Sequence, residues 1–165
     1  MRQFYETSLS YSIVLLNKNC SMKIFALLIF FSFSFSGISQ NWLTNFEEAK
    51  ATAKKNNHNI LLVFQGSDWC APCMKLDKEI WSNSEYQKLA KDHFVMLKAD
   101  FPKKKANRLT DELQKQNNAL AEKYNPQGFF PLAVVLTPEG NVLGQIGYEH
   151  LAPQAYFNKL IAFEK

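Results

Sequence analysis

Gly66-Ser67-Asp68-Trp69-Cys70-Ala71-Pro72-Cys73 stands directly after the apolar run Ile60-Leu61-Leu62-Val63-Phe64 and directly before a helical pattern. This order is a strand, a turn and a helix start, with two thiols on the first helical turn. Unpaired N–H groups at a helix N-terminus and the positive end of its dipole both favour thiolate over thiol. Cys70 is therefore the candidate nucleophile. Cys73 lies three residues on, on the same face and about one turn away, where it can close a small disulfide with Cys70. Pro72 suits the first turn because its φ is already helical and its missing N–H has no helical partner to lose.

Moving toward the N-terminus from this turn, Thr44-x-x-Glu47 has the form of a capping box preceded by apolar Leu43, which predicts a helix from about Thr44 to Asn56 with Phe46, Ala49 and Ala53 facing inward. The run Ile60–Phe64 is continuously apolar, as expected of a strand buried on both faces. Moving toward the C-terminus, the helix that begins at the two cysteines places Met74, Leu76 or Asp77, Ile80 and Trp81 on its apolar side, and Ser84-x-x-Gln87 restarts or continues a helix to about Asp92. Phe94-Val95-Met96-Leu97-Lys98-Ala99 is a second strand. Two strands separated by a helix make a parallel pair with a right-handed crossover.

A long polar helix is expected from about Lys104 to Tyr124, stopped by Asn125-Pro126-Gln127-Gly128. Leu132–Leu136 and Val142–Ile146 then flank Pro138-Glu139-Gly140-Asn141, a turn signature that makes them a hairpin. Pro153 opens a last amphipathic helix through Phe157, Leu160 and Ile161.

The first 39 residues read differently. Lys23 precedes the apolar run Ile24–Phe31, and Gly37 and Ser39 stand two apart before Gln40. A basic residue, an apolar stretch and a small-x-small site predict a secretory signal peptide from Met22 to Ser39, with translation starting at Met22; an uncleaved anchor is the alternative. Residues 1–39 are then a removed targeting region and residues 40–165 one domain. From Gln40 onward the chain carries 16 Lys/Arg against 14 Asp/Glu, a net charge of +2, which leaves no nucleic-acid or membrane-surface footprint. Lys103-Lys104-Lys105 reads as a solvated helix entrance. Only Cys70 and Cys73 remain in that domain. A bridge across so small a loop removes little unfolded-state entropy, so a redox role explains the spacing better than a structural one. A zinc site needs about four ligands, and His58, His93 and His150 are scattered with no second cysteine pair.

Trp69-Cys70-Ala71-Pro72-Cys73, in its strand-to-helix setting, resembles the active-site segment of the thioredoxin superfamily. The element order from residue 40 onward is similar to that fold over essentially its whole length. The resemblance implies an α/β thioredoxin fold: a four-stranded mixed central sheet flanked by helices, spatial order second, first, third, fourth, with an extra N-terminal helix. Ser67–Cys70, Asp100–Lys104 and Gly147-Tyr148 look more like exported thioredoxin-like proteins than cytosolic thioredoxin. It also implies a cis bond at Phe130-Pro131 facing the disulfide, backbone groups of Phe130 offered to a cysteine-containing peptide, and Trp69 as a flat apolar contact beside the sulfurs. One departure is Phe130 where the family commonly has Thr. Another concerns the proton: thioredoxins carry a buried Asp six residues before the attacking cysteine and a Lys on the neighbouring strand, where this chain has Phe64 and Met96. Deprotonation of Cys73 then falls to water, Asp68 or Glu79.

The function so implied is thiol–disulfide exchange with cysteine-containing exported proteins. Cys70 attacks, Cys73 resolves, and Ala71-Pro72, closer to thioredoxin's dipeptide than to that of strong oxidants, points to a reductant. The redox-active pair stands in for any metal or organic cofactor, a membrane thiol reductase or oxidase recharges it, and the protein works as a monomer on the periplasmic or cell-envelope side, or secreted. The alternative is a binding or chaperone module that uses the apolar surface around Trp69, Phe129 and Phe130.

Overall fold

The structure is a computed structural model that describes residues 41–164; the expected signal segment lies outside them. Seven residues from Asn59 to Gln65 form β2, the centre of the sheet. On one side β2 runs parallel to β3 (Phe94–Asp100), and on the other it is antiparallel to β4 (Leu132–Leu136), which pairs with β5 (Val142–Gly147). This is the expected order of four strands. A fifth lies outside β3: Trp42–Leu43, here β1, pairs in parallel with Met96 and Leu97. The sheet is therefore five-stranded. Two residues carry no readable alternation, and this strand exists because the β3 edge is there to receive it.

Alternation along β2 divides the core into two layers. Leu61 and Val63 face Leu76, Ile80, Trp81, Tyr86, Tyr156 and Leu160. Ile60, Leu62 and Phe64 face Ala49, Ala53, Leu120 and Tyr124. The first layer is built by α2 (Ala71–Leu76), α3 (Ser84–Ala90) and α5 (Pro153–Ile161), the second by α1 (Phe46–Asn56) and α4 (Asp111–Tyr124).

Two helix starts differ from expectation, each for a local reason. The α1 cap is Asn45, whose Oδ1 accepts the Glu48 N–H at 3.0 Å, because the Thr44 carbonyl is held by Gln116 Nε2 at 2.7 Å. The polar helix begins at Asp111, capped by Thr110 Oγ1, rather than at Lys104. The residues before it form a loop with a short 3-10 turn at Lys105–Asn107, and the amides of Lys103 and Lys104 ahead of that turn are bound by Asp68. After α2 the chain winds through a π turn, Asp77–Trp81, in which the Ser82 N–H reaches the Asp77 carbonyl at 2.7 Å. Leu76 from α2 and Ile80 and Trp81 from the wider turn all face inward, and Met74, expected inside, is 50% exposed.

Candidate active site

Cys70 and Cys73 are joined in a disulfide, with their Cα atoms 5.2 Å apart. Cys70 caps α2 in extended conformation, and its Sγ accepts the Cys73 N–H at 3.2 Å. An N–H aimed at a sulfur stabilises a thiolate more than a thiol, so this bond and the helix dipole act together on Cys70. Exposure does not separate the two: Cys70 is 3% and Cys73 4% accessible. Ala71 and Pro72, between them, are exposed on the surface.

Three residues before Cys70 are pinned to the end of β3 and the loop that follows it. Asp100 accepts the Ser67 N–H at 2.9 Å and the Ser67 hydroxyl at 2.6 Å. The Asp68 carboxylate accepts the amides of Lys103 and Lys104 at 2.9 and 3.0 Å and the Asn107 Nδ2 group at 3.0 Å. Trp69 Nε1 donates to the Phe101 carbonyl at 2.7 Å. Led by the Lys103 amide, these bonds hold the Asp68 carboxyl below the usual carboxylate range. Gly66 is required by close approach, since a Cβ there would stand 2.3 Å from the Trp69 indole.

The Trp69 ring lies 5.5 Å from that of Phe130, which in turn packs edge-on to Phe101 at 5.5 Å. The Phe130–Pro131 bond is cis. Asn125, legible only as a helix stop, is buried and holds the segment before this bond through both amide atoms, to the Phe129 N–H at 2.9 Å and its carbonyl at 2.8 Å. A groove runs from Pro72 past Phe129, Phe130 and Pro131 to Tyr148. Sequence reading thus named a set that the fold brings together: Trp69, Cys70, Pro72, Cys73, Phe130 and Pro131. Tyr148 it left out. Its hydroxyl donates to Glu79 Oε2 at 2.7 Å, and that hydrogen bond lowers the Glu79 carboxyl and raises the Tyr148 phenol.

Beside Cys73 the structure places groups other than Asp68 and Glu79. Asp68 and Glu79 accept hydrogen bonds from the partners just described. Phe64 points into the other layer, with Phe101 and Phe130. A cavity beside Cys73 is lined instead by Gln65, Ser67, Met74, Asp77 and Lys98. Asp77 is one turn beyond Cys73 on the same helix face, and Lys98 comes from β3. Neither was singled out, although the i,i+4 spacing of Cys73 and Asp77 was available.

Residues 41–138 match the family model described as thioredoxin-like. The disulfide bond reductase DsbH of Chlamydia pneumoniae is 34% identical over 116 residues, which cover 70% of this chain and 68% of that protein. The thioredoxin-related protein DsbJ of the same organism is 29% identical over 106 residues, 64% of this chain and 30% of that protein. Among solved structures, a DsbH oxidoreductase has a TM-score of 0.70 at 31% identity, covering 79% of this chain and 90% of its own. A disulphide isomerase from Xylella fastidiosa Temecula1 shares the fold, with a TM-score of 0.53 at 24% identity over 72% of this chain and 88% of its own.

Proposed function

The chain belongs to the thioredoxin-like family and is a thiol–disulfide oxidoreductase, and from that premise we propose that it is an exported reductant of protein disulfides. The Cys70 thiolate attacks one sulfur of a client disulfide, forming a mixed disulfide and releasing the other client sulfur as thiolate. The Cys73 thiolate then attacks Cys70 Sγ, which closes the Cys70–Cys73 disulfide and frees the second client thiol. Two electrons have passed to the client. A thiol reductase in the membrane returns them, the protein acts as a monomer, and the exchange needs no metal or organic cofactor.

The observation that carries this reading is the cysteine pair at the start of α2, with the Cys73 N–H on Cys70 Sγ and the Trp69–Phe130 surface beside it. The direction is supported by Ala71-Pro72 between the thiols and by the reductase DsbH among the relatives. Equilibration with glutathione and dithiothreitol buffers measures the reduction potential of the pair. A value near thioredoxin's, about −270 mV, is expected, and one near that of the oxidant DsbA, about −120 mV, overturns the direction.

Export rests on the Met22–Ser39 pattern, and no helix among the described residues is long and apolar enough to cross a membrane. N-terminal sequencing of the protein from its native cell is expected to begin at Gln40. A chain that retains Met22 sinks this half of the reading.

A further inference from the structure

The loop after β3 places three consecutive lysines, Lys103, Lys104 and Lys105, beside the residue that precedes Cys70. Three neighbouring cations repel one another, and a mobile loop would spread them into solvent. This loop cannot spread. Asp68 holds the amides of Lys103 and Lys104 and the side chain of Asn107, the Phe101 carbonyl holds the Trp69 indole, and Asn117 Nδ2 holds the Asp100 carbonyl at 2.9 Å. The Lys103 ammonium stands 4.0 Å over the Trp69 ring. Among the described residues none of the three lysines has a carboxylate within ion-pair distance, whereas nearby Arg108 pairs with Asp111 at 3.5 Å. The Asp68 oxygens accept from the Lys103 and Lys104 amides and from Asn107 Nδ2, and its charge is felt by Lys104 without an ion pair.

Trp69 is the joint between two surfaces. One side of its ring meets Phe130, which lines the groove, and Lys103 covers its face. We propose that the loop from Lys103 to Lys105 is a cationic docking lip for client proteins whose segment next to the reactive disulfide carries carboxylates. The groove takes the residues around the client cysteine, and the chain leaving it across Trp69 meets the lysines. Exposed cations of this kind act by drawing the acidic segment in and orienting it, an effect that fades as salt screens charges more than about 10 Å apart at 0.1 M. The proposal rests on the reading of Cys70 as the attacking thiol.

Three disulfide-linked peptides of one sequence, with Glu, Gln or Lys flanking the cysteine, test it. Reduction is followed as kcat/KM at low and high salt for the parent and for a Lys104→Glu, Lys105→Glu double variant, which keeps Lys103 on Trp69. The Gln peptide gives the reference rate for each protein. The parent is expected to favour the Glu peptide over the Lys peptide about tenfold at low salt, within the range electrostatic steering supplies. High salt is expected to remove most of that preference, and the double variant to reverse it. If the parent reduces all three at one rate at low salt, the docking lip is overturned while the exchange reading stands. If it reduces none, both fail. Binding of the parent, but not of the double variant, to vesicles rich in anionic lipid with no peptide preference assigns the lysines to a membrane surface and overturns the proposal as well.

Discussion

A Cys73→Ser variant is expected to accumulate a mixed disulfide through Cys70 and to lose turnover to the background of the buffer thiol, while Cys70→Ser captures no client at all. The assignment cannot come from exposure, which is 3% at Cys70 and 4% at Cys73. It comes from what each sulfur faces. Cys70 caps the helix and accepts the Cys73 N–H at 3.2 Å, an arrangement that favours a charged sulfur at this position. Cys73 is one turn in, next to the cavity that holds Gln65, Asp77 and Lys98. Resolution of the mixed disulfide needs Cys73 to lose a proton, and Asp77 is the carboxylate lining that cavity. An Asp77→Asn protein with both cysteines intact should therefore form the mixed disulfide at the parent rate and resolve it more slowly near neutral pH. General-base catalysis contributes roughly 10²–10⁴-fold, and the lower end is expected for a half-exposed acid. Acid quenching followed by mass analysis of the trapped species reads both steps. Capture by Cys70→Ser in place of Cys73→Ser reverses the assignment of the thiols. Unchanged resolution in Asp77→Asn leaves the proton to solvent.

The strand-turn-helix around Cys70 was legible because its signals are local: an apolar run, a Gly-Ser-Asp turn, a proline in the first helical turn. The parallel pair and the hairpin followed from the alternation of elements, and the strand order from the resemblance to the thioredoxin superfamily. What escaped depended on residues far apart in the chain. Asp68 is 35 and 36 positions from the two amides it binds, and a backbone N–H has no letter in the sequence. The stretch Lys104–Leu109 therefore looked like helix, since nothing nearby revealed that the Lys103 and Lys104 amides were committed to Asp68. Counting six residues back from Cys70 led to Phe64, yet neighbours on a strand face opposite ways. Gln65, in register with Asp100, shares the face of Val63 and lines the Cys73 cavity. The inward set of the active-site helix held for Ile80 and Trp81 and failed for Met74, which lies on the exposed side of α2 ahead of the π turn.

Trp81 carries the largest expected stability effect. It ends the π turn, is 2% exposed, and meets three rings edge-on: Tyr86 at 5.0 Å, Tyr156 at 5.5 Å and Trp42 at 6.1 Å. Through these it joins the active-site helix to α3, α5 and the short strand β1, and its carbonyl accepts Gln87 Nε2 at 3.0 Å. Replacing a buried Trp by Ala costs about 3–5 kcal/mol from lost transfer energy and the cavity left behind. Domains are stable by only about 5–15 kcal/mol, so Trp81→Ala removes a large share of the total. At roughly 4 °C per kcal/mol for a domain of this size, Tm should fall by about 10–20 °C. Trp81→Phe keeps one ring among the three and should lose less than half as much. The same turn carries Asp77 toward the Cys73 cavity and Glu79 toward Tyr148 in the groove, so loosening it should slow exchange below the melting range too. Thermal unfolding followed by near-ultraviolet dichroism, beside exchange rates at 25 °C, separates the two effects. If Trp81→Ala melts within a degree or two of the parent, the aromatic cluster is not what fixes the helix that bears the thiols.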